Sequence, residues 1–373
     1  MSDAVRTMLT HPELPAVYEE LCRGRLRWDL VDPFPRPEPG SPGRIRADDA
    51  VAELDRVLDE HLDPEAMEAS RRMPGPLLDA LRSRRLLDPR TAPDLGGLGL
   101  GHFDTFRLVT AAASRSVPVA LVTAVQTAIG LNAYLAALPR GPLRDLVRER
   151  MSRGAFAGTA DTEPAGAANT RRFTTATPVD GGEAYLLRGR KVFIGNAPIA
   201  DLLAVTATVP ARGDEDAVTR LFFVDADSPG LEVGAYHEYM GIKGFSNGPV
   251  TLRDVRVPAA RMLVEDREER LTPSLNQALV RGRLYLIAAP SLAIARRCLE
   301  WSRSFVNRRS VNGRGLGEYA EIQRIVAASL ADTFALESVV EWCLLAEDAG
   351  RPVNLLFEQV AAKNITSTLC WRV

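Results

Sequence analysis

The chain has 373 residues, 46% apolar and 25% charged, with a formal charge of -2. That is ample apolar material for buried cores and more length than one core usually organises, so several domains are expected. A near-neutral chain has no summed positive field to hold a polyanion, which argues against nucleic acid as a partner. Cys22, Cys298, Cys343 and Cys370, and His11, His61, His102 and His237, show none of the close pairing of zinc sites or disulfide frameworks, so no metal is expected.

In chain order, Met1 to Thr10 lacks a basic stretch followed by an apolar run, and no segment of about 20 apolar residues stands out, which predicts a cytoplasmic protein with no membrane span. Residues 1–45 read as an extension or linker, because the prolines from Pro33 to Pro42 remove backbone donors and fix φ. Val51, Leu54, Val57, Leu58 and Leu62, then Leu77, Leu78, Leu81 and Leu86, recur at helical spacing around the break Pro74-Gly75-Pro76. The glycines of Leu95-Gly96-Gly97-Leu98-Gly99-Leu100-Gly101 resemble a dinucleotide fingerprint, but no strand leads into them, and a turn is the better reading. Phe103 to Leu138 reads as buried helices broken near Pro118, and a further helix runs to Arg153.

The period then changes. Thr174–Thr177, Tyr185–Ile194, Leu202–Val209, Leu221–Val224 and Val250–Val257 are short strand-like runs, separated by turn residues such as Asp180-Gly181-Gly182 and Ser246-Asn247-Gly248. After Pro258 helical spacing returns, and Ile322, Val326, Leu330 and Phe334 are expected on one face of a long helix continued by Leu336, Val340 and Leu344. The order is a helical domain over 46–153, a β domain over 154–262 and a second helical domain over 263–373, an α+β architecture.

Four landmarks occur in order along this framework: the turn at Leu95–Gly99; Thr162-Glu163-Pro164; the strand Leu187-Arg188-Gly189-Arg190-Lys191-Val192-Phe193-Ile194-Gly195-Asn196; and Met240-Gly241-Ile242-Lys243-Gly244 followed by Asp254-Val255-Arg256-Val257-Pro258. Together with Gly282-Arg283, Arg309, Leu330-Ala331-Asp332 and Leu336-Glu337-Ser338, they make the chain similar to the acyl-CoA dehydrogenase family from about Ala47 onward. The resemblance implies that family's three domains: N-terminal helices, a small middle β-barrel or sandwich and a C-terminal helical bundle. It implies FAD, oxidation of an acyl thioester on CoA or an acyl carrier protein to the α,β-unsaturated thioester, a homo- or hetero-oligomer, and an electron-acceptor flavoprotein as partner. By the same resemblance Asp161, Thr162, Ala168, Phe193, Gly195 and Arg309 occupy cofactor-binding positions.

The family's pattern is not fully kept. Ala168 stands where a serine bonds the FAD pyrophosphate, Phe193 replaces a flavin-packing tryptophan, and Gly195 replaces a threonine that bonds flavin N5. Asn312 and Ala320 replace a phenylalanine and a glutamine near Arg309. No glutamate stands at either position from which the family draws its catalytic base: Gly282 occupies one, and the other lies beyond Val373, where the last domain is expected to be incomplete. The catalytic residue is therefore unassigned. Two alternatives remain beside the dehydrogenase: a non-catalytic subunit paired with an active homologue, and a redox-silent enzyme that acts on a thioester. The N-terminal extension suits a specialised role such as secondary metabolism.

Overall fold

A computed structural model describes residues 14–135, 137–166, 172–211, 217–263 and 273–373, with side chains of the last segment described from 277. In chain order the helices are α1 (Val17–Cys22), α2 (Trp28–Val31), α3 (Pro42–His61), α4 (Pro64–Ser70), α5 (Gly75–Ser83), α6 (His102–Arg115), α7 (Val117–Ile129), α8 (Leu131–Leu135), α9 (Pro142–Ser152), α10 (Pro273–Arg283), α11 (Ala289–Arg308), α12 (Ala320–Asp348) and α13 (Leu355–Arg372). The strands are β1 (Ala157–Ala160), β2 (Thr175–Val179), β3 (Ala184–Gly195), β4 (Leu202–Val209), β5 (Val218–Asp225), β6 (Leu231–Val233), β7 (Asn247–Pro258), β8 (Met262–Leu263), β9 (Ser310–Val311) and β10 (Arg314–Gly315). The chain forms two compact units: Met1–Ala52 with Leu100–Ala120 and Val280–Val373, and Glu53–Gly99 with Leu121–Leu279.

The first unit is helical. Helix α6 buries Phe103, Phe106, Val109, Thr110 and Ala113, a three-to-four residue repeat that gives one apolar stripe. Its first turn lacks a side-chain cap of its own, and the Asp348 carboxylate supplies one by accepting from the amides of His102 (2.8 Å) and Phe103 (2.9 Å). A five-residue π-helical turn, Leu284–Ala288, lies between α10 and α11.

Two expectations change here. Residues expected to form a linker are held against the C-terminal helices: Asn354 N–H donates to the Pro15 carbonyl (2.9 Å), Tyr18 N–H to Glu358 (3.0 Å), and Arg351 to the Leu30 and Val31 carbonyls. The prolines bar regular structure only between α2 and α3, and α3 begins at Pro42, where a missing N–H is harmless. On α12, Leu336, Val340 and Leu344 are buried as expected, but Leu330 is 55% and Phe334 69% exposed. The described helices leave Leu330 and Phe334 of α12 uncovered.

The second unit is built around an eight-stranded sheet in the order β6-β7-β3-β2-β4-β5-β8, with β1 parallel to β4 in the register Ala157↔Leu202. Strand alternation supplies both of its faces. Leu203, Val205 and Ala207 of β4 join Phe222, Val224, Leu187 and Val250 on one side, whereas Leu202 and Ala204 pack with Phe223, Tyr134, Val147 and Met151 on the other. The five strand-like runs read from sequence appear as β2, β3, β4, β5 and β7. Strands β1, β6 and β8 were not expected. The Ala-Gly-Thr-Ala sequence of β1 has little intrinsic preference for a strand, and pairing with β4 decides it.

The glycine-rich segment is a turn that follows the short 3-10 helix Pro93–Leu95. Gly96 and Gly99 have φ of +77° and +60°, and a Cβ on Gly97 would lie 2.1 Å from the Thr91 carbonyl oxygen. Close backbone approach, not phosphate binding, explains the glycines. The stretches Val117–Leu135 and Gln277–Arg308 are, contrary to expectation, long and apolar enough to cross a membrane by length and composition, but 78% and 61% of their most apolar windows are buried within the chain, as in core helices.

Candidate cofactor site

Asp161-Thr162-Glu163-Pro164 follows β1 directly and is fastened by a buried ionic network. Glu163 is 4% exposed and accepts from the amides of Phe173 (2.7 Å) and Thr174 (2.8 Å) and from Lys191 Nζ (2.9 Å). Burial alone would raise its pKa, yet hydrogen bonds from Thr174, Phe173 and Lys191 outweigh that and hold it at about 2. Lys191, fully buried, also donates to Thr206 Oγ1 (3.1 Å) and to the Asp161 carbonyl (3.3 Å), and its burial draws its pKa below the usual lysine range. The network therefore ties the loop to β3 and β4 from inside the sheet.

Asp161 belongs to this anchorage. Its carboxylate accepts two bonds from Arg172 (both 2.8 Å) and one from Thr206 Oγ1 (2.7 Å). Burial works against its charge, but these donors prevail and lower its pKa. The side chain thus serves to hold the loop.

Thr162 is fastened through its carbonyl, which accepts from the Val192 amide (2.9 Å), while its half-buried hydroxyl has no partner among the described residues. One residue beyond Val192, the register of β3 against β7 breaks: Lys191 pairs with Val250 but Ile194 with Gly248, so the β3 strand carries an extra residue. Phe193, within this bulge, has φ +59° and a ring 57% exposed. Its amide, released from the ladder, donates to His237 Nε2 (3.3 Å), and the two rings stack at 4.7 Å between centroids and 34° between planes.

Gly195 is buried, and a Cβ there would lie 3.0 Å from Val125 Cγ2 and 3.5 Å from Phe245 Cζ. A threonine would fit only if Val125 gave way, so no side-chain contact to a cofactor arises here. Asn196 next to it is fully buried at φ +62° and donates from Nδ2 to the Val122 carbonyl (3.1 Å). Position 168 lies outside the described residues. An open cavity of about 300 Å³ beside the loop is lined by Glu163, Pro164, Ala165, Phe173, Thr174 and Arg190, with Gly189.

Arg309 lies in the first unit at the end of α11. Its amide donates to the Phe305 carbonyl (3.0 Å), its carbonyl accepts from Leu316 N–H (2.8 Å), and its exposed guanidinium has no ion pair or hydrogen bond among the described residues. Gly282 is buried within α10 and offers no carboxylate at the position where the resemblance places a base. The fold brings Asp161, Thr162, Phe193 and Gly195 together in the second unit. Among these, Thr162 keeps a hydroxyl without a partner among the described residues, and Phe193 keeps an exposed ring that His237 backs. His237 was missed as a site residue, because a lone histidine in a loop gives no sequence signal of the β-bulge it meets.

Residues 158–255 match the acyl-CoA dehydrogenase middle domain and residues 273–373 the acyl-CoA dehydrogenase C-terminal domain. The chain belongs to the acyl-CoA dehydrogenase family. It is 27% identical over 340 residues to the probable acyl-CoA dehydrogenase FadE10 of Mycobacterium tuberculosis, covering 90% of this chain and 51% of that protein, so it spans about half the length of this relative. With the benzylmalonyl-CoA dehydrogenase of Aromatoleum aromaticum it shares 28% identity over 304 residues, 80% of this chain and 78% of the relative. The butyryl-CoA dehydrogenase structure from Megasphaera elsdenii superposes with a TM-score of 0.74 at 22% identity, covering 87% of this chain and 84% of that one. The structure of PigA with FAD and proline gives 0.76 at 19% identity, over 90% and 86%. These structural matches establish the acyl-CoA dehydrogenase fold.

Proposed function

We propose that the face of the second unit carrying Thr162 and Phe193 binds FAD, and that the chain serves the α,β-dehydrogenation of an acyl thioester in the cytoplasm. One observation carries this reading. The Val192–Thr162 bond joins the loop to a bulge that turns an aromatic ring outward, so the Thr162 hydroxyl, with no partner among the described residues, and the exposed Phe193, backed by His237, are carried on joined segments. The residues present fit FAD through this hydroxyl, this ring and the free main chain around them. Gly195 adds no side-chain donor.

Bound FAD would supply the two-electron acceptor for the reaction. The thioester carbonyl acidifies the α hydrogen, which leaves as a proton to a carboxylate, while the β hydrogen leaves with its electron pair. Gly282 cannot be that carboxylate, so the reading places the base elsewhere than position 282. Relatives named for CoA thioesters, such as benzylmalonyl-CoA dehydrogenase and cyclohexane-1-carbonyl-CoA dehydrogenase, support a thioester as substrate. A carrier-protein thioester presents the same reacting carbons, and reoxidation calls for an electron-acceptor flavoprotein.

The uncovered stripe on α11 and α12 favours an assembly. Trp301 and Phe305 on α11, and Leu330 and Phe334 on α12, each pair one turn apart, are 48 to 69% exposed, and apolar side chains so grouped call for a covering partner. With no carboxylate at Gly282 and no partner for the Arg309 guanidinium among the described residues, a second reading follows: a non-catalytic subunit whose Arg309 serves FAD held by an associated homologue. The test is the visible flavin spectrum of the purified protein and the FAD extracted per chain, followed by anaerobic addition of acyl-CoA thioesters. Stoichiometric FAD bleached by a thioester supports the dehydrogenase. A colourless chain that gains flavin only beside a homologue supports the second reading, and a chain that neither binds nor reduces FAD under any of these conditions overturns both.

A further inference from the structure

We propose that His237 is a positioning residue that holds the Phe193 ring in its outward pose, and that it does so only while its Nε2 is unprotonated. This rests on the reading of the Phe193 face as a flavin platform. Phe193 adopts φ +59°, a backbone region that bulky L residues enter only when their surroundings enforce it. The bulge has removed its amide from the sheet ladder, and the bond to His237 Nε2 at 3.3 Å takes the ladder's place. The stacked imidazole, 4.7 Å away, covers one side of the ring. Both constraints on Phe193 therefore come from one side chain.

The loop that carries His237 is itself fixed. His237 N–H donates to the Asn247 carbonyl (2.9 Å) and Gly234 N–H to the Pro249 carbonyl (2.9 Å), which extends the β6 edge along β7. Tyr239 donates its hydroxyl to Asn247 Oδ1 (2.9 Å), and Arg71 donates to the Tyr239 carbonyl (3.3 Å). The imidazole is thus presented from a braced backbone and is not free to wander.

The polarity of the bond sets the protonation state. An amide can only donate, so Nε2 must offer its lone pair, and the neutral ring carries its proton on Nδ1. A proton on Nε2 would set donor against donor and break the bond. Charge would not by itself unstack the rings, since a cation also rests well on an aromatic face. The amide bond is the element that reverses. The nearby charges are Glu238, which faces Arg71 at 3.9 Å, and Arg72, which lies over the Tyr236 ring at 4.7 Å. None of them forms an ion pair with His237 among the described residues.

The experiment has two arms. In the first, FAD affinity is measured from acid to alkaline pH for the wild type, His237→Asn and His237→Phe. The wild type should bind about two- to ten-fold more tightly at the alkaline end, the worth of one amide hydrogen bond. His237→Asn, an acceptor that does not titrate, should be flat and tight, and His237→Phe, a stacking ring without an acceptor, flat and weak. A His237→Phe profile that superimposes on the wild type overturns the proposal. In the second arm, ligand-free protein labelled with 15N-phenylalanine is titrated. The Phe193 amide resonance should move with the protonation of His237, and an amide that ignores it overturns the proposal. Absence of FAD binding at every pH would sink the flavin platform, while the second arm still decides the role of His237.

Discussion

Replacing Lys191 by methionine should destabilise the second unit by about 3 kcal/mol. The reasoning starts from where the ammonium sits: fully buried, 2.9 Å from a Glu163 carboxylate that is only 4% exposed. Removing one partner from a buried pair typically costs about 3–5 kcal/mol, because the other charge is left without compensation. Here the low end applies, since Glu163 keeps the two amide donors of Phe173 and Thr174. The protonation of Glu163 gives an upper scale, since it sums all of its donors, Thr174 and Phe173 ahead of Lys191. Its pKa falls from 4.5 to about 2 on folding, a preference for the charged form of about 3 kcal/mol at about 1.4 kcal/mol per unit. That stability is complete above about pH 4.5 and is lost as pH falls toward 2. The assay needs care, because all four tryptophans, Trp28, Trp301, Trp342 and Trp371, belong to the first unit. Hydrogen exchange of β3 and β4 peptides reads the right region. Protection should fall in Lys191→Met and recover substantially in Lys191→Met with Glu163→Gln, which removes the stranded charge. A loss under about 1 kcal/mol in the single variant, or a double variant worse than the single one, would refute the assignment of this pair as the loop's anchor.

Further outcomes follow from single sites. Gly97→Ala should cost about 2–3 kcal/mol in urea denaturation followed by hydrogen exchange, because its Cβ would meet the Thr91 backbone at 2.1 Å. Arg309→Ala should leave stability within about 0.5 kcal/mol, since the guanidinium is exposed and has no ion pair among the described residues, yet lower the FAD retained per chain after gel filtration of the assembled protein. Glu358 is fully buried beside the Tyr18 amide, and burial raises its pKa from 4.5 to about 7. A raised carboxylate stabilises the fold below about pH 4.5 and loses that contribution as pH climbs through about 7. Glu358→Gln should therefore remove up to about 3 kcal/mol of alkaline loss, read by tryptophan fluorescence in urea at high and low pH.

Much of the fold is legible because the period of apolar residues changes twice, from helical to alternating and back. Strand β4 shows why this works: Leu203, Val205 and Ala207 against Leu202 and Ala204 reach two covered faces, and the run of apolar residues announces a buried strand. The reading fails where an element is made by its neighbour. The Ala-Gly-Thr-Ala strand has no propensity to display, and residues 14–37 look like a linker because the carbonyls that bind Asn354 and Arg351 are backbone groups that any sequence provides. The exposed half of α12 has the same apolar period as the buried half, since periodicity records that a face is to be covered and not by which chain.

The site divides along a similar line. Glu163 and Lys191 stand 28 residues apart and give no sign in sequence that they meet, although both lie within motifs that the resemblance picks out. Those motifs are retained where they hold the loop and altered where they would face a ligand: the buried pair is complete, while Gly195 offers no hydroxyl and Gly282 no carboxylate. A buried ion pair is costly to break one residue at a time, so drift there is opposed by stability itself. A surface donor to a ligand carries no such penalty, and its loss is felt only in binding. Gly195 and Gly282 are buried, and a Cβ at 195 would lie 3.0 Å from Val125 Cγ2, so packing bears on those departures as well, whereas the survival of the loop's anchors reports chiefly on folding. The Phe193 platform lies between these cases. Its pose depends on a bulge kept by the fold and on the half-buried His237, so the flavin platform proposed here turns on whether that one pair is held.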